Sequence, residues 1–468
     1  MTSFRTSSTA AAFRSDWLAS NHVPIAIRFA LCVGIVVAFY LTQAAAGHGA
    51  EPWTVDRAVE IALKNSPDAR IARQRSEGAQ AVIEQARSAW SPQLSFQGRY
   101  TDTNSPMMAF GSILNQRAFN FGLDFNHPGR IDDLNATGNV AYNLYSGGRA
   151  SAGLSAAKSG ALAAEQDLLA AQQQLGRDVV KAYLSIRKAR EAVGAIEAGV
   201  KAYEAAVAAA RARFEAGQML KADLLSLEVQ LAQTQENLSA ARHGAALAEH
   251  AFRFVLGLDA SAETVELAAD DPALAGLAMP GTGDFSQRPE LIGLRERIHA
   301  AEAMVRAARG GHRPTVNAFA SYQFDQGWQL DSHGDSWMAG VSVDLNVFDG
   351  GQTSGKIRQA SAELAQVKEM LRKATLGVGL EIEQARLAHE DAIERLTVST
   401  RAVEQADESA ALTRARFEKG AVLIADLIGV EGRLIEARMR RAVAAADERI
   451  ALAELRCALG LPTFALTP

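Results

Sequence analysis

The sequence is poor in cysteine, proline and aromatic side chains. Only Cys32 and Cys457 occur among 468 residues, too few for a disulfide framework or a cysteine-based zinc cluster. The 12 prolines and the 6% aromatic content favour long uninterrupted helices over an ordinary mixed α/β enzyme. The formal net charge is −5, so the sequence does not have the excess of basic residues that nucleic-acid-binding proteins usually show. We therefore expect no nucleic-acid partner, and the 48% of hydrophobic residues excludes wholesale disorder.

The first part of the chain is typical of a secretory signal peptide. Three arginines precede the uncharged apolar run 29–41, and small residues follow it at 44–47. The run is shorter than the ~20 residues that a membrane-spanning helix needs. We interpret residues 1–50 as a signal peptide and leader, with a short membrane anchor as the alternative.

An internal duplication organises the remaining sequence. Three landmarks recur at an offset of 203 residues, which chance does not readily produce. They are Ala-Arg-Phe-Glu-x-Gly at 212–217 and 415–420, Leu-Gly-Leu at 256–258 and 459–461, and Gly-Gly at 147–148 and 350–351. An Asp-Leu pair also follows each turn glycine at the same distance. The chain is therefore built from two copies of one unit.

The two copies differ in the length of one loop. Upstream of the shared landmarks, matching prolines and tyrosines lie 222 residues apart instead of 203. The first copy therefore carries a loop that is 19 residues longer, between Tyr100 and Gly147. We predict a first repeat over 51–257, a linker rich in turn-forming residues over 258–284, and a second repeat with a short tail over 285–468.

Each copy contains two segments in which apolar and polar residues alternate, as in β-strands. These segments lie at 94–100 and 140–144 in the first copy, and at 316–322 and 339–347 in the second. Two faces of different polarity suit a sheet between lipid and water, or a sheet that covers a soluble core. Because a closed membrane barrel needs eight or more strands, four strands in a membrane would require oligomerisation.

Helical periodicity surrounds these strands. The first copy opens with a helix predicted over 55–88, and a heptad seam that ends at Phe214 predicts a long helix over 149–216. Gly217 stops this helix, and a helix over 222–255 returns antiparallel to it. A plain coiled-coil hairpin explains the helical period equally well.

The combination of these features resembles the TolC-type outer-membrane channel-tunnel family. The resemblance rests on Arg-Phe-Glu-x-Gly followed by Asp-Leu in both copies, on the Gly-Gly strand-to-helix entries, and on Leu-Gly-Leu closing each copy. It covers about 53–462. It implies a mainly α fold with a membrane β-barrel, made of duplicated helix–strand–strand–helix–helix units. A homotrimer would form a 12-stranded barrel in outer-membrane lipid and a 12-helix periplasmic α-barrel.

The same resemblance implies a function and a set of site residues. The protein would be the passive exit duct of a tripartite efflux pump or a type I secretion system. It would bind a periplasmic adaptor (membrane fusion) protein and an inner-membrane transporter, and it would be no enzyme and need no cofactor or metal. The helical turns would contact the adaptor through Arg213, Phe214, Gly217, Arg416, Phe417 and Gly420. The entrance would be lined by Asp426, Asp223 and Lys221, and the barrel would join the helices at Gly147, Gly148, Gly350 and Gly351.

Two positions depart from the gate pattern of that family. Val422 stands where an arginine can lock the entrance, and Gly429 stands where a second aspartate can lie. Lys221 is the substitute that this sequence offers for the missing basic residue.

Two other functional classes compete with the channel. A periplasmic coiled-coil adaptor or scaffold would use the helical hairpins without entering a membrane. A nucleotide-binding enzyme is suggested by Gly-Gly-Gln-Thr-Ser-Gly-Lys at 350–356, which follows a strand and precedes a helix. Ile357 replaces the hydroxyl residue that would hold magnesium, so a glycine-rich bend is the preferred interpretation of this segment.

Overall fold

The computed structural model describes residues 52–259, 265–268 and 285–461. The predicted signal peptide and most of the predicted linker lie outside the described residues. The first copy contains α1 (Val55–Asn65), α2 (Pro67–Arg87), β1 (Gln93–Thr103), α3 (Pro106–Asn115), β2 (Ile131–Tyr145), α4 (Arg149–Glu215) and α5 (Lys221–Leu256). The second copy contains α6 (Pro289–Arg309), β3 (Thr315–Gly327), β4 (Ser332–Asp344), α7 (Gln352–Glu418) and α8 (Ile424–Ala458).

The helix predicted over 55–88 is in fact two helices, α1 and α2, which meet at Ser66. Pro67 has no backbone N–H and cannot continue α1, but it is well placed at the first position of a new helix. The Ser66 hydroxyl accepts a hydrogen bond from the Asp68 backbone N–H at 3.3 Å and so caps α2. The Ser-Pro pair was the sequence signal for this break.

The four strands form one antiparallel sheet in the order β1-β2-β3-β4. Val140 on β2 lies opposite Leu94 on β1 and Ala320 on β3, and Ala320 lies opposite Ala339 on β4. Since directly opposed residues share a face, the apolar positions of all four strands form one continuous surface. Leu94 is among the exposed large side chains of this surface, as is Val341. The prediction of a sheet with two faces of different polarity is confirmed.

The longer loop of the first copy folds over one end of the sheet. It contains α3, and the amide of Gln116 just beyond α3 donates to the Asp132 carbonyl at 2.8 Å and to the Asp133 carboxylate at 2.9 Å. The Asp132 carboxylate in turn accepts the backbone N–H groups of Trp328 and Gln329 in the β3–β4 turn. These bonds tie the insertion to the second copy, which has no counterpart of α3 among the described residues.

Two helices of 67 residues, α4 and α7, occupy equivalent places in the two copies. At 1.5 Å per residue each is roughly 100 Å long. The N-terminal α1 docks against α4 and α5 through a core that includes Val55, Tyr183 and Phe252. Within the described ranges, no helix has an apolar stretch long enough to cross a membrane.

Candidate functional site at the two helical turns

The turns after α4 and α7 have the same backbone geometry. Gly217 and Gly420 both adopt φ of +72°, a left-handed conformation that favours glycine. The N–H one residue beyond each glycine donates back to the carbonyl of Arg213 in the first turn, at 2.8 Å, and of Arg416 in the second, at 2.9 Å. This is the helix-ending pattern expected when glycine follows the last helical residue. The turn glycines therefore end their helices, as the sequence predicts, while their predicted contact with an adaptor stays a prediction.

The acidic residues lie at the third position of the helices that leave the turns, where a negative charge is favourable. Asp223 and Asp426 are equivalent in the two copies. The backbone N–H of each donates a hydrogen bond to the carbonyl oxygen of the residue three positions earlier, at 3.2 Å. Asp426 is exposed, whereas Asp223 is half-buried. Lys221 is exposed at the first position of α5. The duplicated backbone thus presents its carboxylates in two different environments.

The two phenylalanines of the repeated motif have opposite burial. Phe417 is 3% exposed and packs in a core with Tyr203, Leu224 and Leu427, which joins the two helical hairpins. Its counterpart Phe214 is 37% exposed. The heptad seam predicted for α4 is therefore wrong at its last member. Phe214 lies outside the core around Phe417 and remains partly exposed.

Arg213 links the first turn to the second. Its guanidinium donates to the Phe417 carbonyl at 2.9 Å and lies 5.7 Å from the centroid of the Phe417 ring. It also covers Gly420, where a Cβ would collide with the guanidinium. The equivalent Arg416 is exposed. The motif therefore supplies one arginine that joins the two turns within the chain and one that is exposed to solvent.

A groove of about 410 Å³ lies between the two turns. Its lining combines the Arg213 and Asp223 side chains with apolar groups such as Met219, Phe417 and Val422. Val422 is half-buried and packs on the core around Phe417, so the position that departs from the family's gate pattern serves here in packing. The groove therefore presents both charged and apolar surface.

A pair of arginine–glutamate bridges braces the helices of each hairpin beside its turn. Arg211 and Glu228 lie 2.7 Å apart, and their equivalents at an offset of 203 are Arg414 and Glu431, also bonded at 2.7 Å. Sequence reasoning missed these four residues, although the repeat offset would have revealed them. Glu431 is buried beside Tyr203. The pKa of the Tyr203 hydroxyl is raised to about 12, mainly because Tyr203 is buried and secondly because the Glu431 charge is close.

The Gly-Gly entries from strand to helix adopt left-handed conformations in both copies. Gly147 and Gly148 have φ of +67° and +84°, and Gly350 and Gly351 have φ of +64° and +88°. This backbone explains why glycines recur there. The role predicted for them as bends at the start of the long helices is consistent with this geometry.

The segment that resembles a phosphate-binding loop is occupied by the chain's own carboxylate. Asp349 accepts hydrogen bonds from the backbone N–H groups of Gly351 at 3.0 Å and Thr353 at 2.8 Å. These are helix N-terminal donors of the kind that would otherwise hold a phosphate. The Asp349 carboxylate occupies these donors and would repel a second anion, which disfavours nucleotide binding at this bend.

Comparisons with known proteins agree with the duplicated architecture. The sequence model of a family described as outer membrane efflux protein matches residues 58–258 and 285–461. The outer membrane efflux protein BepC of Brucella suis is 26% identical over 196 residues, which is 38% of this chain and 40% of that relative. The matched stretch therefore spans less than half the length of the curated relative.

Solved structures share the fold over most of the chain. The outer membrane protein VceC of Vibrio cholerae superposes with a TM-score of 0.70 at 20% identity, covering 88% of this chain and 97% of VceC. The CmeC outer membrane channel of Campylobacter jejuni gives 0.72 at 17% identity, covering 88% and 87%. At such low identity these structures establish the fold, while the sequence model matches both copies across most of the chain. The chain therefore belongs to the outer membrane efflux protein family.

Proposed function

We propose that this protein is the outer-membrane exit duct of a tripartite efflux pump or of a type I secretion system. The observation that carries the proposal is the pairing of a family match over both repeats with a sheet that exposes one continuous apolar face. The duct is passive. It receives its cargo from an inner-membrane transporter and is joined to that transporter by a periplasmic adaptor protein.

The sheet supports an assembly of three chains in outer-membrane lipid. Its strands contain 11 to 15 residues, enough for tilted strands that cross the hydrocarbon core, which need about 9–11. In the described part of the chain, β1 and β4 each pair on one side only. Lipid does not accept unpaired strand edges, and closure needs at least eight strands. Three copies supply twelve strands and, from α4, α5, α7 and α8, twelve long helices.

The helical turns form the periplasmic entrance of this duct. The groove between them, with its charged and apolar lining, is the surface offered to the adaptor. The exposed Asp426 would be repeated three times around the axis of the trimer. Three carboxylates at a narrow opening attract cations and raise the free-energy cost of ionising all of them.

The mass of the protein extracted from outer membrane in mild detergent, corrected for bound detergent, tests the assembly. A trimer that conducts ions after reconstitution in a planar bilayer supports the duct. A stable monomer in the periplasmic fraction contradicts it, because four strands do not close, and favours the adaptor or scaffold alternative.

The entrance role of Asp426 is tested by Asp426→Asn in single-channel recordings. We expect weaker cation selectivity and weaker block by multivalent cations, since three negative charges are removed from the opening. The control is Glu418→Gln, which removes an exposed carboxylate from the preceding turn. Equal effects of both variants would assign the selectivity to general surface charge and not to Asp426.

A further inference from the structure

The two copies contact each other inside the chain through different helices. The first long helix of the first copy, α4, packs against the second helix of the second copy, α8. Tyr203 on α4 donates to the Ile428 carbonyl on α8 at 3.1 Å, and Lys181 on α4 lies 2.5 Å from Glu454 on α8. The counterparts of these two faces are one face of α7 and one face of α5. If the same contact is repeated between molecules, this face of α7 on one molecule meets the face of α5 on a second molecule.

Equivalent positions on the two pairs of helices differ sharply in exposure. Leu184 on α4 is 2% exposed, while its counterpart on α7, Leu387, is 56% exposed. Cys457 on α8 is 6% exposed, while its counterpart on α5, Phe254, is 81% exposed. A large apolar side chain that is exposed where its duplicate is buried indicates a surface that lacks its partner.

The same asymmetry recurs where the strands enter the long helices. A Cβ at Gly147 would lie 2.6 Å from the Gly310 carbonyl oxygen, which comes from the second copy. A Cβ at the equivalent Gly350 would meet nothing within 4 Å. The bend of the first copy is therefore covered by its neighbour in the chain, and the bend of the second copy is open.

The helical turns repeat this pattern with a specific polar contact. Arg213 donates to the Phe417 carbonyl and covers Gly420. The counterparts at an offset of 203 are Arg416, Phe214 and Gly217. Arg416 and Phe214 are exposed, and a Cβ at Gly217 would meet nothing within 4 Å. Donor, acceptor and glycine are thus all present a second time, but within one chain Gly217 stays uncovered.

We propose that Arg416 of one copy donates to the Phe214 carbonyl of the next copy and covers its Gly217, repeating between molecules the contact that Arg213 makes within one. The proposal rests on the proposed trimer and adds to it the residues that join neighbouring subunits at the entrance. Three such contacts alternate with three internal ones around the ring. The surface of α7 and α5 is occupied by a second copy of this chain.

Two cysteine pairs test this arrangement in the full chain. Arg416→Cys with Phe214→Cys is the pair between copies, and Arg213→Cys with Phe417→Cys is the matched pair within one copy. Each variant is extracted from the outer membrane, sized, treated with a short bismaleimide and run on a denaturing gel. We expect covalent dimers and trimers from the first pair, and monomers with an internal cross-link, identified by peptide mass spectrometry, from the second.

The outcomes separate this proposal from the proposed function. A trimer in which only the internal pair cross-links overturns the proposed contact and leaves the duct intact. A monomer by mass overturns both. If a double variant fails to assemble, the unaltered protein decides through arginine modification with phenylglyoxal. Protection of Arg416 in the native assembly, lost on denaturation, supports the contact. Modification at the same rate in both states overturns it.

Discussion

The buried glutamate beside the second turn provides a quantitative test of the packing between the two hairpins. Glu431 is 2% exposed and accepts hydrogen bonds from Arg414, and this bonding to the carboxylate raises the pKa of the guanidinium. Arg414→Met keeps most of the apolar stem and removes the charge, which leaves a buried carboxylate without its partner. The matched variant is Arg211→Met, whose partner Glu228 is 35% exposed.

The expected magnitudes follow from exposure. Breaking a fully buried ion pair costs about 3–5 kcal/mol, and losing an exposed one costs about 0–1 kcal/mol. The Arg414 side chain is 40% exposed, so solvent already screens part of the pair, and we expect about 2 kcal/mol of local destabilisation. For Arg211, which is 60% exposed, we expect about 0.5 kcal/mol.

Hydrogen exchange followed by mass spectrometry measures this difference locally. A change of about 2 kcal/mol corresponds to a roughly thirty-fold faster exchange of amides near the second turn, against about two-fold near the first. The position equivalent to Tyr203 is Ala406 on α7, so in the proposed trimer a neighbouring α7 would still leave Glu228 partly hydrated. Equal acceleration at both turns would show that the burial of Glu431 does not control the strength of this bridge.

Three further predictions concern other parts of the fold. The pKa of Tyr203 lies at about 12 against an ordinary value of 10.0, so its contribution to stability is complete below pH 10 and lost between pH 10 and about 12. Tyr203→Phe should cost about 1 kcal/mol of stability at neutral pH, because its hydrogen bond to the Ile428 carbonyl is lost. Between pH 10 and about 12, the melting temperature of this variant should fall less steeply with pH than that of the unaltered protein. Burial would raise the pKa of Glu290, but hydrogen bonds from Arg288 outweigh it and hold that pKa below 4.5. Its contribution is therefore present above pH 4.5 and lost on acidification, and Glu290→Gln should make thermal stability less sensitive to acid below that value. Gly257→Ala should lower the melting temperature, since φ is +69° and a Cβ would lie 2.8 Å from a backbone oxygen at the end of α1; an unchanged melting temperature would contradict this.

The architecture was accessible from sequence because its signals are local and occur twice. Alternation at 94–100 and 339–347 predicted the strands, and the glycine turns predicted the ends of α4 and α7 within a residue or two. The two-fold use of each motif also predicted which segments are equivalent. These features depend on backbone conformation and periodicity, which the sequence expresses directly.

The different environments of equivalent residues could not be predicted in this way. Phe214 and Phe417 stand in nearly identical sequences, yet one is exposed and the other buried. Arg213 and Arg416 differ likewise, because only Arg213 has the other turn within its reach. What separates them is which helix lies alongside, a tertiary property that a repeated motif does not encode.

If the chain assembles as proposed, the single-sided pairing of β1 and β4 sets an order of events in its biogenesis. The long helices share buried cores within one chain, so the helical part of each chain would be able to fold before assembly. The sheet is different, because every unpaired backbone group at its edges costs several kcal/mol in hydrocarbon. In the proposed trimer, insertion would therefore wait for the encounter of chains, and during that wait the strand edges would be open to wrong partners. Strong overproduction should consequently yield aggregate faster than it yields inserted protein.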